Sequence, residues 1–134
     1  MNLVSVRLIT DDVDRLVDFY ARLTGTSADR PSPDFAELRT ANGTLALGST
    51  RTVALFGAGS AAPAANRSAI VELLVDDVDE VHAAVHDWAD VVQVPTTMPW
   101  GNRSLLLRDP DGTLVNVFAP VTTAARDKFA RFSR

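Results

Sequence analysis

The tetrapeptide Asp-Asp-Val-Asp occurs twice in the chain, at residues 11–14 and at residues 76–79, 65 residues apart. Each copy follows an alternating apolar run and precedes apolar residues at helical spacing. A shift of 65 residues places the segment 8–23 over the segment 73–88. A duplicated strand-to-helix junction is the simplest structure that explains this repeat.

Both copies predict a strand that runs into a helix. The strands cover residues 3–9 and 69–75, where apolar residues alternate. The helices carry apolar stripes of Val13, Leu16, Val17, Tyr20 and Leu23 in one copy and of Val78, Val81, Val85 and Trp88 in the other. An Asp of each tetrapeptide can cap the helix N-terminus, which is a structural role and not a catalytic one.

Short strands follow each helix. The first half predicts strands at 34–40, 43–49 and 52–57, and the second half predicts strands at 91–95, 103–108 and 113–118. An Asp-Pro-Asp-Gly turn joins the last two. The fold class is therefore α+β, with two βαβββ modules that can pair their sheets into a half-open curved barrel with helices outside.

The module boundaries follow from a stretch of small and polar residues. Residues 58–67 predict a linker between module one, 1–57, and module two, 68–120. Together these form a single domain of residues 1–120. Residues 121–134 form a tail, whose sequence predicts a short helix. Ala125, Phe129 and Phe132 share one face of that helix, so we expect it to dock through the two Phe side chains on its own barrel or on a partner subunit.

Composition excludes several function classes. The chain of 134 residues has no Cys, so it can form neither a disulfide nor a thiolate metal site. Its net charge of −4 argues against a general nucleic-acid binder. No apolar run approaches the ~20 residues that span a membrane. The N-terminus lacks a signal-peptide pattern, so we expect a cytoplasmic protein.

The repeat and the final hairpin resemble the vicinal oxygen chelate superfamily of glyoxalase I, extradiol dioxygenases and bleomycin-resistance proteins. The similarity lies in the helix at residues 11–23, with its Phe-Tyr pair, and in residues 99–120, where the Asp-Pro-Asp-Gly turn precedes the last strand. The resemblance covers residues 1–120. It implies the paired βαβββ fold and a homodimer.

The resemblance also implies four metal-ligand positions, which this chain does not fill with the usual His and Glu. The opening-strand positions fall on Ser5 and Ile70, and the last strand of the second half offers Asn116. The fourth position falls near residues 53–56, and no Asp or Glu occurs between residues 38 and 71. Because Ile cannot coordinate a metal and neutral Ser and Asn are weak ligands, we expect no metal and no cofactor.

The placement of the two histidines argues against a metal pair. His82 and His86 have the i, i+4 spacing that can grip a metal. His86, however, lies off the apolar stripe of its helix and should face solvent.

Strand alternation predicts which side chains point into the barrel. If the helices cover Val4, Val6 and Leu8, then Ser5 and Arg7 point inward, and so does Glu72 in the second half. Arg7 and Glu72 are related by the repeat, and we expect a salt bridge between them, with ligand contact by either as the alternative. The complete set of predicted ligand-binding residues is Ser5, Arg7, Phe35, Phe56, Glu72, Met98, Trp100, Arg103, Asn116 and Phe118.

Three functions remain open from the sequence. The first is metal-independent binding of a small molecule, such as an antibiotic or another planar natural product, for which Trp100 offers a flat surface, although it could equally fill the core. The second is a metal-dependent lyase, isomerase or dioxygenase of the same superfamily. The third is a structural or regulatory module. We favour the first, with no nucleic acid and no membrane as partner.

Overall fold

The structure is a computed structural model, and it describes residues 1–132. The C-terminal end of the predicted tail, residues 133 and 134, lies outside the described residues. The chain forms two compact units, Met1–Asn66 and Arg67–Arg134. Among residues 1–132, no helix is both long enough and apolar enough to cross a membrane.

The first unit contains one mixed sheet of four strands. Its elements in chain order are β1 (Ser5–Thr10), α1 (Val13–Thr24), β2 (Asp29–Ser32), β3 (Phe35–Arg39), β4 (Thr44–Ser49) and α2 (Thr50–Ala54). The strand order in the sheet is β1-β4-β3-β2. β1 runs parallel to β4, and the other pairs are antiparallel.

The second unit repeats this order. Its elements are β5 (Ile70–Leu74), α3 (Val78–Val85), β6 (Asp90–Thr97), β7 (Asn102–Arg108), β8 (Leu114–Pro120) and α4 (Thr123–Phe129). The strand order is β5-β8-β7-β6, again with one parallel pair, β5 with β8. The α+β class and the duplicated βαβββ pattern are confirmed.

The repeated tetrapeptide is a helix cap in both units. Asp12 accepts a hydrogen bond from the backbone N–H of Arg15 at 3.0 Å, and Asp77 accepts one from Glu80 at 3.1 Å. Each Asp satisfies a donor that has no partner inside the first helical turn. The two junctions are alike because the same local bond starts each helix.

The strand predicted at residues 52–57 is wrong. The segment that follows β4 is the short helix α2, which begins where Ser49 accepts a hydrogen bond from the N–H of Arg51. The strand that completes the first sheet is β2, at residues 29–32, whose four residues are all exposed. A polar edge strand with a proline has no apolar alternation by which it could be recognised.

The core of each unit lies between its sheet and its longer helix. In the first unit, Leu16 and Tyr20 of α1 are fully buried, as are Ala36 and Leu47 of the sheet. In the second unit, the fully buried side chains include Val78 of α3 and, from β7 and β8, Leu105, Leu107, Val115 and Val117. These strand residues alternate with those that face away from the longer helix.

Each unit also places a second helix on the other side of its sheet. A Cβ atom added to Gly48 of β4 would lie 2.7 Å from the side chain of Thr52 in α2. In the second unit, the ring of Phe118 in β8 lies 5.1 Å from that of Phe129 in α4. The repeated unit is therefore βαβββα, and residues 52–54 of the segment predicted as a third strand belong to the first copy of its last helix.

Candidate ligand-binding faces

The sheet face turned away from the longer helix is called here the distal face. In the first unit it carries Ser5, Arg7, Phe35, Ala46 and Gly48, which the strand register places side by side. In the second unit it carries Ile70, Glu72, Asn102, Ser104, Asn116 and Phe118. The strand register places Ser5, Arg7 and Glu72 on the face away from the longer helices, as the alternation predicted, and Ile70 lies there too. That this face points into a barrel stays a prediction.

Two aromatic rings lie close to Arg7 of the first distal face. Its guanidinium carbon lies 5.2 Å from the ring centroid of Phe35 and 5.3 Å from that of Phe56. These distances are in the range of cation–π attraction. Phe35 comes from β3, whereas Phe56 follows α2 and is exposed. Both rings therefore lie close to the guanidinium of a residue that remains exposed.

Gly48 provides the space for this arrangement. A Cβ atom on residue 48 would lie 3.4 Å from Cδ of Arg7 and 3.5 Å from Cδ1 of Ile9. A larger side chain would therefore press against the stem of Arg7 and against α2. The glycine therefore leaves room for the stem of Arg7 and for α2.

The acidic residues of the first unit that could neutralise Arg7 have other partners. Glu37 is 3.0 Å from Arg39, and Asp34 accepts hydrogen bonds from Arg51 at 2.7 Å and from Ser49 at 2.8 Å. The bond from Arg51, followed by that from Ser49, holds the pKa of Asp34 below its ordinary value. Within residues 1–66, no carboxylate lies within salt-bridge distance of Arg7.

Glu72 and Asn116 form a polar pair on the second distal face. The Nδ2 atom of Asn116 donates a hydrogen bond of 2.8 Å to Glu72. The two residues are register partners across β5 and β8. Glu72 is exposed, so its carboxylate remains available to a ligand. The expected salt bridge between Arg7 and Glu72 would join the two units and stays a prediction.

Two further polar residues of this face were not expected from the sequence. Ser104 and Asn102 lie on β7, where they are register partners of Phe118 and Pro120. Both side chains are buried. The signal that could have found them is the alternation of polar residues at 102 and 104 at the start of an otherwise apolar strand.

Arg103 lies on the opposite face of β7 from Asn102 and Ser104. Its Nε and Nη2 atoms donate to the carboxylate of Asp79 in α3 at 2.7 and 2.8 Å. This bidentate pair holds the pKa of Asp79 below its ordinary value. Arg103 is therefore engaged on the helix side of the sheet and is not part of the distal face.

The remaining predicted residues lie at the edge of the second unit. Met98 and Trp100 belong to the turn between β6 and β7, where the N–H of Met98 donates to the carbonyl of Asn102 at 2.7 Å. Trp100 is 64% exposed, so its ring does not fill the core of the unit. Phe118 is buried beneath Phe129, so it contributes apolar lining rather than an accessible ring.

The residues at the metal-ligand positions do not fit a divalent metal. Ser5, Ile70 and Asn116 supply no charged donor. The last strand of the first unit is β4 and not residues 53–56, and Ala46 is its equivalent of Asn116, because Ala46 pairs with Arg7 as Asn116 pairs with Glu72. Residues 1–132 contain no group of three or more His, Asp or Glu side chains that could hold a metal.

The two histidines are neighbours on α3 and its C-terminal cap. Their ring centroids are 5.7 Å apart. His86 is exposed, as expected, and its Nδ1 atom lies 3.1 Å from Asp87. No third ligand completes a site around them within residues 1–132.

Comparison with known families identifies the class of protein. The model of the Glyoxalase/Bleomycin resistance protein/Dioxygenase superfamily matches residues 2–117. The chain therefore belongs to this superfamily, which confirms the resemblance of its repeat and final hairpin. A comparison with curated proteins finds no match.

Solved structures share the fold. A glyoxalase/bleomycin resistance protein/dioxygenase from Nocardioides has a TM-score of 0.74 at 20% identity, covering 92% of this chain and 85% of that one. A family enzyme from Burkholderia phytofirmans PsJN has a TM-score of 0.79 at 19% identity, covering 90% of this chain and 100% of that one. TioX from Micromonospora sp. ML1 has a TM-score of 0.68 at 28% identity, covering 90% and 100%.

Proposed function

We propose that this protein binds a small organic molecule without a metal ion, in the manner of a sequestering protein rather than a catalyst. The observation that carries the proposal is the exposed Arg7 guanidinium, oriented by Phe35 and Phe56 and without a carboxylate partner in its own unit. An exposed arginine without a carboxylate partner can donate two parallel hydrogen bonds to a planar anionic group.

The aromatic residues suit a planar ligand. Phe56 is exposed in the first unit, and Trp100 is exposed in the second unit. Exposed aromatic side chains bury a large area on binding and lose little rotamer freedom, which makes them effective contact residues for flat molecules. We expect a planar aromatic compound that carries a carboxylate or a phenolate.

The donor set supports metal independence. Superfamily enzymes that use a metal need charged or imidazole ligands, and the corresponding positions here hold Ser5, Ala46, Ile70 and Asn116. None of these combines negative charge with a strong donor atom, so we expect ligand recognition on the first distal face to depend on Arg7 and the aromatic residues near it.

A thermal-shift screen of planar aromatic natural products, with and without a carboxylate, tests the proposal. The variant Arg7→Gln removes the charge and keeps a polar side chain. Arg15→Gln on α1 is the matched control, because Arg15 lies on the helix that covers the opposite face. Loss of a hydrogen bond between charged groups should weaken binding about 10- to 100-fold in Arg7→Gln.

The wild type and the two variants should respond differently to the compounds. Carboxylated compounds should raise the melting temperature of the wild type and of Arg15→Gln, and should have little effect on Arg7→Gln. The result should be the same in a chelating buffer. If no compound stabilises the wild type, or if Arg7→Gln is stabilised as strongly, the proposal is wrong.

A further inference from the structure

The helix α4 and the turn after it present basic side chains that have no acidic partner. Arg126, Lys128 and Arg131 are exposed, and none of them forms a salt bridge with a carboxylate of residues 1–132. The Nζ atom of Lys128 lies 5.2 Å from the ring centroid of Phe129, and the guanidinium carbon of Arg131 lies 4.7 Å from that of Phe132. Both distances are in the range of cation–π attraction. The three cations are called here the basic face.

The apolar side of α4 is already used within the second unit. The ring of Phe129 lies 5.1 Å from that of Phe118 in β8, and Ala125 is buried. A helix that binds a lipid surface needs its apolar side free for insertion, and α4 has spent that side on its own sheet. A partner that approaches α4 from outside therefore meets mainly charged side chains.

The charges of the second unit are separated along the chain. Residues 67–120 contain nine Asp and Glu side chains and three Arg, whereas residues 121–134 contain four Arg and Lys and one Asp. The acidic majority of the unit repels a long polyanion such as nucleic acid. The same majority is complementary to the basic face of another copy of the chain.

The outer side of α3 offers a matching acidic surface. Glu80, Ala83, Ala84 and Asp87 are exposed and are spaced i, i+3, i+4 and i+7, so they lie on one side of the helix and the turn that ends it. Glu80 forms no salt bridge within residues 1–132. The two small alanines between the acids leave room for the apolar stems of Lys and Arg side chains to lie across the helix. These four residues are called here the acidic face.

The two faces cannot meet within one unit. The helix α3 packs on the sheet through Val78 and Val85, on the side opposite the distal face, and α4 packs on the distal face through Phe129. The basic face of one copy can, however, reach the acidic face of another. Such a contact joins two different surfaces, so it is head-to-tail and leaves one face free on each of the two copies.

We propose that the basic face of α4 docks on the acidic face of α3 in a second copy of this chain. Lys128 and Arg131 pair with Glu80 and Asp87 across the contact, and Arg126 lies at its rim. Exposed ion pairs are individually weak, so the association depends on protein concentration and on salt. The inference goes beyond the proposed small-molecule function, because it uses neither Arg7 nor the first distal face.

Sedimentation velocity over a wide range of protein concentration tests the association. At low salt the mean mass of the wild type should rise with concentration. At about 1 M salt, where the Debye length falls to about 3 Å, the protein should be monomeric. Lys128→Glu should weaken the association about 3- to 10-fold, because it replaces an attraction with a repulsion. Arg67→Glu makes the same change of charge at an exposed residue outside both faces and should associate like the wild type.

An exchange of charges identifies the contact itself. One double variant, Lys128→Glu with Arg131→Glu, makes the basic face acidic, and the other, Glu80→Lys with Asp87→Lys, makes the acidic face basic. Each variant alone should stay monomeric at low salt, because its two faces carry the same charge. An equal mixture should associate, because each variant supplies the complement of the other. Mixing cannot correct a folding defect, so recovery in the mixture is specific to the contact.

Four results would overturn the proposal. They are a wild type that stays monomeric at low salt at every concentration, an association that persists at about 1 M salt, a mixture of the two double variants that stays monomeric while the wild type associates, and a monomeric wild type that binds phosphatidylglycerol vesicles or duplex DNA through Lys128. The last result would assign the basic face to a different partner.

Discussion

Gly101 and Thr122 approach so closely that a Cβ atom on residue 101 would lie 2.2 Å from Oγ1 of Thr122. The carbonyl oxygen of Gly101 accepts hydrogen bonds from the N–H groups of Val121, at 2.8 Å, and Thr122, at 3.3 Å. Thr122 in turn caps α4 by accepting from the N–H of Ala125. The turn before β7 therefore fixes the point at which α4 leaves β8.

Substitution of Gly101 by Ala should lower the free energy of unfolding by about 2–4 kcal/mol, because alanine disfavours the left-handed backbone conformation and its methyl group would clash. Residue 101 has a φ of 94°, and the added methyl group meets Thr122. Gly25→Ala is the control, with a φ of 68° and no atom within 4 Å, and should cost only about 1–2 kcal/mol. Urea unfolding of both variants measures the difference, and equal losses would show that the contact with Thr122 contributes nothing.

Substitution of Arg103 by Gln should raise the pKa of Asp79 towards its ordinary value of 3.8, because hydrogen bonds from Arg103 are the main cause of its depression. A carboxyl group whose pKa is depressed by folding stabilises the fold above its unfolded value, and this contribution is lost as the pH falls through the folded value. The stability difference between wild type and Arg103→Gln should therefore be present at pH 6 and shrink below pH 3.8.

Carbon-detected NMR titration of the Asp79 carboxyl group measures this pKa directly. Arg51→Gln serves as the control, because it should raise the pKa of Asp34 and leave that of Asp79 unchanged. An identical Asp79 titration in wild type and Arg103→Gln would contradict the assigned cause.

Substitution of Phe129 by Ala should destabilise the protein by about 1–3 kcal/mol, less than the loss of a fully buried Phe because its ring is half-buried. The ring contacts Phe118 at 5.1 Å and anchors α4 on the second distal face. Leu55→Ala removes a side chain that is 87% exposed and should change stability little. If truncation after Pro120 leaves the melting temperature unchanged, the docking of α4 makes no contribution.

Removal of divalent metal should leave both stability and ligand binding unchanged. The ligand positions of the superfamily hold Ser5, Ala46, Ile70 and Asn116 in this chain, and these residues offer a metal no charged donor. Elemental analysis of the purified protein and melting curves with and without chelator check this expectation. One equivalent of a bound transition metal, with a lower melting temperature after its removal, would refute it.

Local features of the sequence were sufficient to predict the junctions and turns. Asp12 and Asp77 cap their helices through bonds three residues along the chain, and Asp109 and Gly112 close the predicted turn, where the N–H of Gly112 donates to the carbonyl of Asp109 at 2.9 Å. The alternation in β1 and β5 also predicted correctly which side chains face away from the longer helices. In each case the interaction joins residues close in sequence or follows from the geometry of one strand.

The conformation of residues 50–57 depended on tertiary structure. A short apolar run is compatible with either strand or helix, and its β-prone residues favoured the wrong choice. The strand that this segment was expected to add to the sheet is instead β2, which pairs with β3. This pairing uses backbone hydrogen bonds, so the polar side chains of β2 give no sequence pattern that predicts it. The absence of a side chain at Gly48 then leaves room for α2 on the distal face.

The sequence by itself determined the duplicated α+β fold and the poor match of its residues to a metal site, because repeats, alternation and residue chemistry are properties of the chain. Only the tertiary structure decided that Arg103 pairs with Asp79 while Asn102 and Ser104 lie on the opposite face, and that Phe129 covers Phe118. The physical reason is that strand register and helix docking unite residues far apart in sequence. Whether a buried oxygen finds a partner depends on that assembly.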